Sequence, residues 1–167
     1  MPTANCTNTY IVPTTNHEVT MPSQPAFYAQ SVTKQTNVTG DGTVVTVAYN
    51  SEILDQNADY NPGTYTFTAP VDGEYVFYFG TQCDNAWACT SFVNYFYVNA
   101  GITSQIFLDG SVLRQGVDGA IAISSSELME LDASDTAHVE CIGIGVGSKT
   151  ISIMHTTNTI FCAALVS

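Results

Sequence analysis

An all-β fold of two packed sheets is what this sequence predicts, and three observations carry that expectation. Strand formers dominate, with 9 Tyr and 8 Phe among many Thr, Val and Ile in 167 residues. Short runs of these residues recur between turn signals such as Gly40-Asp41-Gly42, Asn61-Pro62-Gly63, Asp72-Gly73, Asp109-Gly110 and Asp118-Gly119. No stretch shows a helical apolar period with a cap at each end. About ten short strands at this spacing fit a ten-stranded jelly-roll β-sandwich, two antiparallel sheets over one core.

Taken in order, residues 1–24 are rich in Thr, Asn and Pro and hold two short apolar patches, Tyr10-Ile11-Val12 and Val19-Thr20-Met21. They read as a connector or stalk-end segment. They carry neither the basic nor the apolar region of a secretory leader, so either the chain is not secreted by that route or it was cut from a longer protein. Residues 25–167 form the head. Strands are expected over 26–33, 43–49, 64–68, 74–81, 92–98, 104–108, 119–124, 128–131, 138–144, 150–154 and 160–166. The run Thr64-Tyr65-Thr66-Phe67-Thr68 alternates polar and aromatic residues, so one face is wet and one is buried. The next, Glu74-Tyr75-Val76-Phe77-Tyr78-Phe79, is apolar on both faces. In a domain this small such a strand lies between the core and a second burial partner, and a subunit interface is the expected partner. Tyr75, Val76, Phe77, Tyr78 and Phe79 are therefore the candidate interface residues.

The same region carries a family resemblance. Phe67-Thr68-Ala69-Pro70, Asp72-Gly73, Tyr75 and Phe77 resemble the FTAP-x-x-G-x-Y-x-F signature of the complement C1q-like globular head, within the C1q/tumour necrosis factor jelly-roll superfamily. Pro25-Ala26-Phe27-Tyr28-Ala29 is similar to the family's opening strand. Asn57, Tyr60, Asn61 and Gly63 fall at its Asn…Tyr…Gly approach. Thr159-Ile160-Phe161-Cys162-Ala163-Ala164-Leu165-Val166 resembles its closing strand, with Ala163 and Ala164 replacing a glycine and a phenylalanine. The resemblance spans roughly residues 25–167. It implies a C1q/TNF-like fold, a homotrimer and a recognition role.

One segment departs from the family. Residues 82–103 intervene before Ser104-Gln105-Ile106-Phe107-Leu108-Asp109-Gly110, where the family's link is short. They are either an extra strand and loop packed on the body or a specialised exposed surface. Insertions on a rigid sandwich sit in loops, and loops carry recognition. The sole tryptophan, Trp87, with Asn85 on the same loop, and Tyr95 and Tyr97 on the following aromatic run, are the candidate ligand contacts.

Charge narrows the partners. Three Lys and Arg stand against fifteen Asp and Glu, a formal charge of −12. Binding phosphates needs clustered cations, so nucleic acid and anionic membrane surfaces are not expected partners. No apolar run approaches the ~18 residues of a membrane-inserted helix. Acidity serves solubility or binds a divalent cation. Some C1q-like heads hold calcium near the trimer apex, and by that resemblance Asp84 and Asp118 are the candidate ligands, with solvated loop acids as the other reading; no cofactor is otherwise required. Five cysteines leave at least one unpaired. Cys141 and Cys162 sit in apolar strands and read as buried thiols, while Cys83 and Cys89 flank the Trp87 loop closely enough to bridge in an oxidising compartment.

No catalytic motif appears. The histidines His17, His138 and His155 stand apart from any Ser or Cys motif, and Gly143-Ile144-Gly145-Val146-Gly147 is followed by neither a helix nor a suitably placed Lys. A non-enzymatic trimeric recognition head is the expectation. Its contexts are the distal receptor-binding domain of a viral or phage fibre contacting a host-surface glycan or protein, an extracellular C1q-like adhesion or innate-recognition head, or a structural cap that only trimerises a fibre. Its place is accordingly the virion surface or the extracellular space.

Overall fold

The computed structural model describes residues 24–113, 119–155 and 157–167. Thirteen strands are found among them: β1 (Ala26–Gln30), β2 (Gln35–Thr39), β3 (Val44–Thr46), β4 (Ser51–Asp55), β5 (Tyr60–Asn61), β6 (Thr66–Thr68), β7 (Gly73–Asp84), β8 (Ser91–Val98), β9 (Gly101–Asp109), β10 (Ile121–Leu131), β11 (Thr136–Ile144), β12 (Ile151–Ile153) and β13 (Ile160–Leu165). A 3-10 turn, Ala86–Ala88, and one helical turn, α1 (Gly110–Leu113), complete them. The expected connector lies almost wholly outside the described residues.

Alternating residues dictate two layers. The first sheet runs β10-β7-β13-β1-β4, and β12 continues on the β13 edge of β7, followed by β2. The second runs β9-β8-β11, with β6-β5 and β3 sharing the far edge of β11. The pairings are antiparallel. The inward residues of both sheets are aromatic. Phe161 lies among Phe27, Tyr49, Tyr60, Phe77 and Phe96, with ring centroids 4.9 to 6.4 Å away. Stacked and edge-on pairs of this kind add to the burial of the rings themselves. Tyr49 and Tyr60 stay inside because their hydroxyls find carbonyls, Gly80 O at 3.2 Å and Tyr49 O at 2.8 Å.

Several sequence expectations are revised. The strands expected at 119–124 and 128–131 are one, β10, because Ser124, Ser125 and Ser126 stay in register with Gly80, Phe79 and Tyr78. Strands β2, β4 and β5 were not expected. The segment that departs from the family is no appendage: β8 is an inner strand of the second sheet, paired to β9 and β11. Tyr75, Phe77 and Phe79 are fully buried in this chain's own core, which removes them from the candidate interface. Val76 and Tyr78, between them, face outward at 39% and 37% exposure. Cys141 is buried as expected, but Cys162 points outward and is only half-buried.

The outward face of the first sheet is poor in charge where β7 crosses it. One cross-strand row reads Leu54, Tyr28, Cys162, Tyr78, Ser126, and the next reads Ala26, Ala164, Val76, Leu128. Leu54 and Leu128 are more than half exposed. Ala164, where the family resemblance has phenylalanine, leaves this row shallow beside Val76.

Candidate functional site

The two ends of the sandwich differ. At one, β1 begins and β13 finishes as hydrogen-bonded neighbours, with Ala26 opposite Ala164 and Leu165 N–H donating to Pro25 O at 2.9 Å. Ser167 O accepts from Glu74 N–H there. From Tyr75, at that end, β7 runs nine residues to Asp84, a rise of roughly 30 Å at the usual ~3.3 Å per residue. The Trp87 loop leaves β7 at this far end.

Asn85 starts the loop by adopting a left-handed conformation, φ 64°, which asparagine tolerates better than most residues. The 3-10 turn follows. It buries Ala86 and Cys89 and leaves Trp87 60% exposed between them. Hydrogen bonds anchor the loop's exit: Thr90 N–H donates to Ile144 O and Gly110 N–H to Thr90 O, both at 2.8 Å. Gly119 presses on the tryptophan itself. A Cβ there would lie 2.8 Å from Trp87 Cδ1 and 3.0 Å from the Trp87 backbone nitrogen, and φ is +68°, so glycine is required twice over. The indole is thus exposed yet fixed at its base.

Beside it opens a hollow of about 290 Å³, lined among the described residues by Asn85, Trp87, Ala88, Val146 and Thr150. Asn85 Nδ2 donates a long hydrogen bond, 3.4 Å, to Thr150 O. The walls are mostly apolar. The sequence pointed to Trp87 and Asn85; it missed Val146 and Thr150, whose glycine-rich turn reads as a mere connector when its position over the indole is unknown.

The remaining candidates lie elsewhere. Tyr95 and Tyr97 are on the outward face of the second sheet, four and six residues from the start of β8, and do not line the hollow. Tyr97 stacks on His138 at 4.9 Å, and His138 Nε2 lies 3.5 Å from Glu140 Oε1. Burial, with Glu140 beside it, pushes the Tyr97 hydroxyl above its ordinary value. Asp84, the candidate calcium ligand, has both oxygens engaged: Oδ2 meets Lys34 Nζ at 3.2 Å and Oδ1 accepts Asn85 N–H at 2.8 Å. Asp118 lies outside the described residues, and no group of three or more potential metal ligands occurs among those described. The four described cysteines are free. Burial raises the thiols of Cys83 and Cys141 well above the usual value, which keeps them protonated and inert.

The C1q domain family model matches residues 26–166. The chain belongs to the C1q domain family. Among solved structures it is similar to the globular domain of zebrafish complement 1qA, at 16% identity and a TM-score of 0.60, over 86% of this chain and 98% of that one. It is similar also to murine APRIL at pH 5.0, at 9% identity and a TM-score of 0.62, over 86% of this chain and 100% of that one. At these identities the likeness is one of fold: the C1q/TNF-like β-sandwich. Comparison with curated proteins gives no match. C1q domains are recognition modules, generally non-enzymatic and typically extracellular. No helix among the described residues is long and apolar enough to cross a membrane.

Proposed function

We propose that this chain is the trimeric, non-enzymatic recognition head of a viral or phage fibre, meeting a host-surface glycan or protein at its outer end. One observation carries the reading: β1 begins and β13 finishes at one end, while the exposed, anchored Trp87 and its hollow occupy the other. A head tethered at its base and reading at its tip has this polarity.

Assembly is supported by the outward rows of the first sheet. Val76, Tyr78 and Leu128 expose apolar area with no cover in a single chain. A closed threefold ring of head-to-tail contacts covers such a face on each subunit and leaves no open end. The fibre context is supported by the odd cysteine count and by Cys83, Cys89 and Cys141 buried as free thiols, a state suited to assembly in a reducing cytosol. An extracellular adhesion head is the second reading, and the family match itself favours it.

The test is direct. Light scattering should give about three times the 17.9 kDa chain mass. The trimer should adhere to cells of its host, and Trp87→Ala should reduce adhesion with the melting temperature held. A trimer that adheres to no cell would leave only the structural cap. The coding sequence upstream separates the two contexts, fibre repeats supporting the first and Gly-X-Y triplets the second.

A further inference from the structure

We infer that the hollow beside Trp87 is a subsite for an uncharged sugar ring, stacked on the exposed indole and hydrogen-bonded at its edge by Asn85. This rests on the recognition reading and names the ligand class of that same surface.

Charge selects the ligand. Among the described residues beside the hollow, Asp84 and Lys34 answer each other. Asp84 gives Oδ2 to Lys34 and Oδ1 to the Asn85 N–H, so this carboxylate is not left free to draw a cation onto the indole. Lys149, next to the lining residue Thr150, is exposed, and its charge is only the least of the causes that lower the Asp41 carboxyl, the Thr43 hydrogen bonds coming first. Lys34 is thus engaged, and the chain as a whole carries −12, which opposes an anionic ligand.

Shape selects further. The hollow, about 290 Å³, sits just under the ~300 Å³ at which pockets for drug-sized ligands begin, so it takes one ring and not a folded peptide segment. It is open on one side. A wholly apolar guest gains most from an enclosed cavity, whereas this site offers a flat apolar wall, Trp87, and a polar edge, Asn85. Among the described residues the Asn85 amide makes only the 3.4 Å bond to Thr150 O, which leaves its carbonyl as acceptor and a second N–H as donor. A pyranose has that complementary form: C–H groups on one face, and hydroxyls around the rim that each both give and accept a hydrogen bond. The Gly119 contact fixes the base of the indole, so little side-chain freedom is lost on stacking.

Trp87 is the sole tryptophan, so its emission reports this hollow and nothing else. The experiment titrates the full chain with methyl glycosides and disaccharides of neutral hexoses and N-acetylhexosamines, and with their sialylated and sulfated counterparts, while indole emission is followed. At least one neutral sugar should shift the emission saturably, and its acidic counterpart should bind no more tightly. Asn85→Gly, which keeps the left-handed backbone without strain, should weaken that sugar by about five- to tenfold, the loss of one hydrogen bond, with the melting curve close to that of the parent chain. Trp87→Phe should retain weak binding, followed by ligand-observed NMR. Emission unmoved by every neutral sugar, or an acidic sugar preferred, overturns the inference. If cells are still bound in that case, through Tyr95, Tyr97 or another surface, the recognition reading survives without the sugar site. If cells are not bound either, both fall.

Discussion

Asp59 is a carboxylate held where its charge is costly. Its Oδ2 is buried without a hydrogen-bond partner, and burial, then the neighbouring Asp55, raises its pKa above the ordinary value. Between the ordinary and the raised value the folded chain keeps a proton that the unfolded chain has lost. Stability contributed by this residue therefore falls as pH rises through that window and stays lower above it. Asp59→Asn should raise stability at neutral pH and flatten the difference between urea midpoints from about pH 4 to pH 7; a variant with the wild-type slope would clear Asp59. In the core, Phe161→Ala should cost about 3–5 kcal/mol in denaturant unfolding, since it removes the ring that touches five others. Trp87 was legible in the sequence as a lone exposed aromatic on a loop. Asp59 was not, because its environment is made by residues folded around it.

Elements were legible where their own side chains declared them. The aromatic strands β7, β8, β11 and β13 stand close to where their apolar runs and the turns between them put them. Strand β2, Gln35-Thr36-Asn37-Val38-Thr39, has no apolar face of its own and forms because β12 offers it a ladder; pairing outweighs propensity there. The triple serine in β10 resembles a break, yet its backbone groups are claimed by β7. The outward face of β7 gives a test at this scale. Val76→Asp and Tyr78→Asp both place a carboxylate at the middle of the uncovered rows. Each should convert the proposed trimer to monomer in light scattering while far-ultraviolet circular dichroism keeps its β signature, because a charge buried without a partner opposes the contact. A trimer that tolerates both would move the interface elsewhere. In the Trp87 loop, Gly119→Ala should shift indole emission in the free protein, since the new Cβ collides with the tryptophan.

For the whole molecule, two sheets over one aromatic core followed from the spacing of turns and from the signature around Phe67 and Gly73. What lines the outer end did not follow, because two loops more than fifty residues apart meet there and only folding brings Asn85 together with Val146 and Thr150. Charge acts at this scale too. A trimer carries 3 × −12 = −36 formal charges, and salt screens such repulsion over a Debye length of about 8–10 Å near physiological ionic strength. Raising sodium chloride to that level should raise the trimer's melting temperature. Calcium chloride at equal ionic strength should raise it further only where calcium binds the folded state specifically; coincident curves leave screening alone, and destabilisation by salt would mean that the acids sit in favourable pairs. The polarity of the sandwich has a mechanical side as well. A pull between a target held at the Trp87 end and a tether at the start of β1 runs along the strands. The ladder bonds from β1 to β13 on one side and to β4 on the other then bear load together, in shear, and cannot be peeled one at a time. A head built this way resists tension along the direction in which attachment would apply it.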